Sequence, residues 1–127
     1  MNGRMKIVLT VFFVLTLMSL GLSAVAAPDV NEAKKLSGEM VKDAQAMVEH
    51  GNAAHPAVMT KYAKAMIETA QKVLDNIPPG NKHGETAADH IKSAIEQAKA
   101  VIKDQSVDNA EQALNHATEA DNHIQQM

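Results

Sequence analysis

The stretch Asp108-Asn109-Ala110-Glu111-Gln112-Ala113-Leu114-Asn115-His116-Ala117-Thr118-Glu119-Ala120-Asp121-Asn122-His123-Ile124 decides the fold. Ala110, Ala113, Leu114, Ala117, Ala120 and Ile124 recur at the i, i+3, i+4 spacing of one helix face, giving a narrow apolar stripe. His116, Glu119 and His123 follow at i, i+3, i+7 and share a second line along the same cylinder. A row of imidazole, carboxylate and imidazole beside a core stripe carries the donor atoms that borderline divalent metals prefer.

Working outward, the same periodicity covers the preceding residues. Asp108 with Glu111 three residues on predicts a capping-box-like start, after a turn at Asp104-Gln105-Ser106-Val107. A third helix opens at Glu85 or Thr86, with Ala87, Ala88, Ile91, Ala94, Ile95, Ala98, Val101 and Ile102 on its inner face. Ile77-Pro78-Pro79-Gly80 is a strong breaker and begins a loop that runs to Gly84. Before it, Val58 to Ile77 reads as a helix that Pro56 opens at its first position. The first helix runs from an Asp29 cap to His50, with Gly51 as its C-terminal stop. Four segments, at about 29–50, 56–77, 85–103 and 108–126, joined by short, long and short connections, predict an all-α, antiparallel up-down-up-down four-helix bundle.

The first residues predict a different fate. Arg4 and Lys6 precede an apolar run from Ile7 to Leu22, and Ser23-Ala24-Val25-Ala26-Ala27 supplies small residues with an Ala-x-Ala match. This is the three-part pattern of a secretory signal peptide, with cleavage after Ala26 and a bundle domain at 27–127. The rival reading is an uncleaved anchor. Cleavage removes two of the 12 basic residues and none of the 15 acidic ones, leaving ten against 15 and a net charge of −5. The remaining chain has no arginine and one aromatic residue, Tyr62, which excludes the basic, stacking surface that nucleic acid requires. There is no cysteine, hence no disulfide, no thiolate ligand and no lipidated cysteine, and the expectation is a soluble periplasmic protein without a membrane partner.

A weak internal repeat appears at an offset of 54 residues. Met47-Val48-Glu49 aligns with Val101-Ile102-Lys103, and Tyr62-Ala63 with His116-Ala117. The same offset sets Thr69 against His123, His50 against Asp104 and His55 against Asn109, as a duplicated helical hairpin would. Chance similarity between alanine-rich helices is the competing explanation.

All six histidines follow the export segment. The predicted topology puts His50, His55, Asp104 and Asp108 at one end of the bundle, and His83, His90 and His123 at the other. His116 lies about 10 Å from His123, so one ion does not readily use both, and either can pair with Glu119. Neither His50-Gly-x-x-x-His55 nor His116-x-x-Glu119-x-x-x-His123 is a closed four-ligand signature. Exposed histidines on a solvated face are the plain alternative, and several open, moderate-affinity sites are the functional one. Met40, Met47, Met59 and Met66 fall at heptad spacing and read as gap-filling core rather than Cu(I) ligands. No acid–base pair, nucleophile frame or phosphate loop is present, which argues against an enzyme.

The chain resembles a known family at these residues. The export segment, the four alanine-rich helices, His50-Gly51 with His55, and His116-Ala117-x-Glu119-Ala120-x-x-His123-Ile124 resemble the small metal-binding proteins of the periplasm of ammonia-oxidising bacteria. The resemblance covers roughly Met40 to Ile124 and implies a histidine-rich four-helix bundle that binds several divalent ions, copper, nickel and zinc among them, in a buffering role. His50, His55, His90, His116 and His123 stand where that family tends to carry histidine. Tyr62, Thr69, Asp104 and Asn109 depart from its pattern, as in a histidine-depleted relative.

The residues therefore predict a non-enzymatic divalent-metal binder, with Cu²⁺ first and Ni²⁺ or Zn²⁺ next. His116, Glu119 and His123 form the leading group, and His50 and His55 with Asp104 or Asp108 form the second. His83 and His90 are further candidate ligands. A haem-binding bundle of the cytochrome b562 type, ligated by a helix-one Met and a helix-four His, is one rival, although a single aromatic residue offers poor walls for a porphyrin. A structural or partner-binding helical module with incidental histidines is the other.

Overall fold

The computed structural model describes residues 27–127, and the export segment expected at 1–26 lies outside the described residues. Four α-helices follow in order: α1 (Val30–Asn52), α2 (Pro56–Asn76), α3 (Lys82–Asp104) and α4 (Val107–Gln125). There is no strand among the described residues, and no helix there is long and apolar enough to cross a membrane.

Local chemistry sets each helix end. The Asp29 carboxylate accepts from the Asn31 and Glu32 amides and so satisfies donors that α1 leaves free. Pro56 opens α2 at a position where a missing N–H costs nothing. Asn81 caps α3 by accepting from the Gly84 amide at 3.2 Å, so α3 starts at Lys82, ahead of the expected Glu85 or Thr86. His83 consequently lies inside the first turn of α3 rather than in the preceding loop. At α4 the cap is Ser106, whose hydroxyl accepts from the Asn109 amide at 3.4 Å, and not the expected Asp108.

Gly51 also differs from its expected role. Helix α1 continues through it to Asn52, and the left-handed residue is Ala54, at φ 58°. The glycine is needed instead for close approach: a Cβ on Gly51 would lie 2.7 Å from the Met59 sulfur and 3.2 Å from a Val107 methyl. The α1–α2 turn and the start of α4 are thereby packed together at this end.

Alanine and methionine make the core. Eleven alanines and three methionines have no exposed surface, with Ala33, Ala44, Ala63, Ala70, Ala94 and Ala117 among the small residues of the core and Met40, Met47 and Met66 filling volume among them. The four methionines expected in the core are therefore all buried, Met59 included at 1 % exposure. The expected stripe on α4 is buried at Ala110, Ala113, Ala117, Ala120 and Ile124, with Leu114 half-buried beside it.

α1 packs against α2 and α4, and α3 against the same two helices. Polar bonds record the register. The Asp29 amide donates to Asn76 Oδ1 at 3.3 Å, joining the start of α1 to the end of α2. The fully buried Ser37 hydroxyl donates to Asp121 Oδ1 at 2.7 Å, and Gln125 Nε2 donates to the Lys34 carbonyl, joining early α1 to late α4. These contacts are consistent with the expected up-down-up-down order.

Asp43 has an electrostatic signature. Burial pushes its carboxyl above the usual aspartate value of 3.8, a hydrogen bond from the Thr69 hydroxyl opposes this, and the charge of Glu39 adds to it. A carboxyl raised in this way keeps its proton in the folded chain at a pH where the unfolded chain has released it. Stability accordingly falls as pH rises through the carboxylate range. Asp43→Asn should raise stability at neutral pH, by less than about 1 kcal/mol because the group is partly solvated, and the thermal midpoint with it. It should leave the midpoint unchanged well below pH 3.8, and melts of both proteins at the two pH values check this.

Candidate metal centre

Heptad spacing on two adjacent helices builds the candidate centre. His83 and His90 lie seven residues apart on α3, and His116 and His123 lie seven apart on α4. Because the α-helix repeats every 3.6 residues, each pair stays on one line of its helix. The two lines meet along the α3–α4 seam. His83 Nδ1 lies 3.2 Å from His123 Nδ1, and His90 Nδ1 lies 3.3 Å from His116 Nδ1. Between these rungs the His90 and His123 rings stack, with centroids 6.0 Å apart and an interplanar angle of 12°.

Glu119 adds a carboxylate to this seam. His90, Glu119 and His123 offer one ligand atom each, all within 4.8 Å of one another. Among the described residues this is the one group of three or more His, Cys, Asp or Glu side chains that close. The two imidazoles are half-buried and the carboxylate is exposed, so the group is open to solvent on one side.

A third imidazole pair lies at the opposite end. His50 Nδ1 and His55 Nδ1 are 3.5 Å apart across the α1–α2 turn. Tyr62 stacks on the His50 ring, with centroids 5.4 Å apart and planes within 7°.

The nitrogen separations bear on two uses of these pairs. An N–H donor normally lies about 2.9–3.0 Å from its acceptor, so 3.2–3.5 Å is long for an imidazole–imidazole hydrogen bond. A tetrahedral ion with metal–nitrogen bonds of about 2.0–2.1 Å needs its two nitrogens about 3.3 Å apart. All three pairs are close to that ligand edge, so their spacing suits a divalent ion as well as a long imidazole–imidazole hydrogen bond.

The expected groupings change in two places. His116 was expected beside Glu119, but the three-residue group takes His90 instead, and His116 faces His90 from the other side. Asp104 and Asp108, both exposed at the α3–α4 turn, do not complete a three-residue group with His50 and His55, and Tyr62 stacks on the His50 ring. The central part of His90 was missed by reading α4 alone. The signal was present in the matched seven-residue spacings of the two facing helices.

The seam also bears on haem ligation. Met40 and Met47 are fully buried in the core, whereas His116 and His123 are half-buried and paired with α3 histidines. This arrangement favours sets of imidazole and carboxylate over a Met/His axial pair.

A four-helix bundle with paired imidazoles at metal-ligand spacing along one seam defines a metal-binding class of protein. The family model described as small metal-binding protein matches residues 5–127, and the chain belongs to that family. No curated protein and no solved structure matches the chain.

Proposed function

We infer that the protein is an exported, non-enzymatic binder and buffer of divalent transition-metal ions, folded as an antiparallel up-down-up-down bundle. The observation that carries this reading is the His90–Glu119–His123 group, flanked on both sides by imidazole pairs at the nitrogen separation a bound ion requires. Family membership supports it. Nitrogen and oxygen donors without sulfur suit Cu²⁺, Ni²⁺ and Zn²⁺, with Cu²⁺ the strongest binder by the general affinity order. The His50–His55 pair is a second, two-imidazole position at the other end. The three-part pattern before Ala27, with its Ala-x-Ala match, supports export to the periplasm with cleavage after Ala26.

Binding is reversible coordination by neutral imidazole. Open sites with two or three protein ligands leave room for water or for an exchanging ligand, as a buffer needs. The net negative charge of the exported chain draws cations toward it. Calorimetric titration of residues 27–127 with Cu²⁺, Ni²⁺ and Zn²⁺ at pH 7.5 should show saturable binding at micromolar or tighter affinity. Protonation competes for the same lone pairs, so affinity should fall steeply below about pH 6. Equal Cu²⁺ affinity at pH 5 and pH 7.5 would rule out imidazole ligation. Absence of saturable heat with all three ions would instead favour a helical module that binds a protein partner.

A further inference from the structure

The α3–α4 seam contains more positions than it has independent ligands. Its three candidate positions are His83 with His123, then His123 with Glu119 and His90, then His90 with His116. His123 belongs to the first two and His90 to the last two. A neutral imidazole has one ring nitrogen with a free lone pair, the other carrying a proton, so it ligates one ion at a time. Occupying the middle position therefore takes one ligand from each outer position.

We propose that the seam is a two-state metal store, holding either one ion in the central His90–Glu119–His123 position or two ions in the outer two-histidine positions. This rests on the metal-binding reading above and adds a rule for how the seam fills. The first ion takes the middle, where it gains three protein ligands including a charged carboxylate. A second ion cannot simply add to it. It enters only if the first gives up Glu119 and one imidazole and moves to an outer rung, so both ions end with two histidines each. The outer rungs are one heptad apart, about 10 Å, far enough to relieve repulsion between the ions. The consequence is negative coupling: the second ion binds more weakly although four histidines remain to receive it.

Both states use the geometry already in place. His90 and His123 stack across the middle of the seam, and each has a partner Nδ1 on its outer side at 3.2–3.3 Å. Moving an ion by one position keeps one imidazole in common throughout and never strips it of all protein contact. A seam of this kind takes up the first ion firmly and releases the second readily.

Zinc titration of the chain carrying His50→Ala and His55→Ala isolates the seam, with calorimetry and histidine-resolved NMR as the readouts. The expected result is a first ion that perturbs His90 and His123 while leaving His83 and His116 unshifted. A second ion, at least tenfold weaker, should then perturb all four. Adding His83→Ala and His116→Ala should keep the first affinity within about twofold and abolish the second event, a loss of the order ligand-shell changes produce. Glu119→Gln should weaken the first ion only and narrow the gap between the two. Two ions of equal affinity, or simultaneous shifts of all four rings at the first equivalent, would overturn the two-state store while leaving metal binding intact. Loss of Cu²⁺ paramagnetic resonance intensity at two equivalents would also overturn it, since that reports a shared, bridging imidazolate. No zinc binding by the seam would sink both this proposal and the metal-binding reading of α3 and α4. Retained helical circular dichroism in each variant separates lost ligands from lost folding.

Discussion

His90→Ala should weaken binding of the first ion to the α3–α4 seam more than any other single histidine replacement except that of His123. His90 is a member of the three-residue group and also the partner of His116, so its removal breaks the middle position and one outer rung together. The loss should at least reach the tenfold to hundredfold that removing even an outer-shell partner of a ligand costs, about 1.4–2.7 kcal/mol. His116→Ala provides the contrast. It leaves His90, Glu119 and His123 in place and should change the first affinity little. Parallel zinc or copper titrations of the two variants at pH 7.5 measure the difference. If His116→Ala were the more damaging, the central group would be misassigned and the helix-four row His116–Glu119–His123 would be the better account.

That contrast shows what the sequence made legible. Four amphipathic segments, the Pro78-Pro79 break and the buried stripe of α4 were all readable, because helical periodicity survives any choice of tertiary partner. The methionines were readable as core because their heptad spacing coincides with the alanine stripe. Helix ends were less legible. Asn81 and Ser106 displaced the expected starts of α3 and α4 because several polar residues in each loop can cap, and the competition among them is decided by the path of the loop. The ligand groups were legible as a set of residues but not as pairings. One sequence line shows His116 and His123 in the same row, whereas pairing requires the register between α3 and α4. That register is set by packing of alanines such as Ala94, Ala98, Ala113 and Ala117, which leave no trace of who faces whom.

The same pairing explains why the two hairpins differ. At the offset of the internal repeat, Tyr62 and Thr69 stand where His116 and His123 stand on α4. In the first hairpin Tyr62 stacks on His50 and the Thr69 hydroxyl donates to Asp43 at 3.3 Å. Contacts within the chain thus fill places that imidazoles occupy in the second hairpin. All members of the α3–α4 group come from one hairpin, and His50 and His55 come from the other, so neither set bridges the two. On the proposed function, metal bound to the seam would stabilise the α3–α4 pairing directly and reach α1 and α2 only through the core.

Met66→Ala should be a strongly damaging core replacement, and one to set against metal binding. Met66 on α2 is fully buried, in a core where eleven of the twenty buried hydrophobic residues are alanines. Removing a buried methionine side chain costs about 2–5 kcal/mol, the upper part of that range applying where the void cannot close. Alanine has no rotamer with which to reach into a cavity, and a helix can move inward only by unseating contacts along its whole length. The upper range is therefore expected, against a total of about 5–15 kcal/mol for a domain. Met66→Leu nearly conserves volume and should cost less than about 1.5 kcal/mol. Urea denaturation of both variants decides the point, and a Met66→Ala loss below about 1 kcal/mol would mean that the helices close over the gap. Zinc adds a second arm. An ion that binds only the folded chain contributes about 2.7 kcal/mol at one hundred times its Kd, so it should restore roughly half or more of what Met66→Ala removes. His90→Ala placed on the Met66→Ala background should lose about half or more of that rescue at the same zinc concentration, because the stabilisation comes through the seam and not through the repaired core.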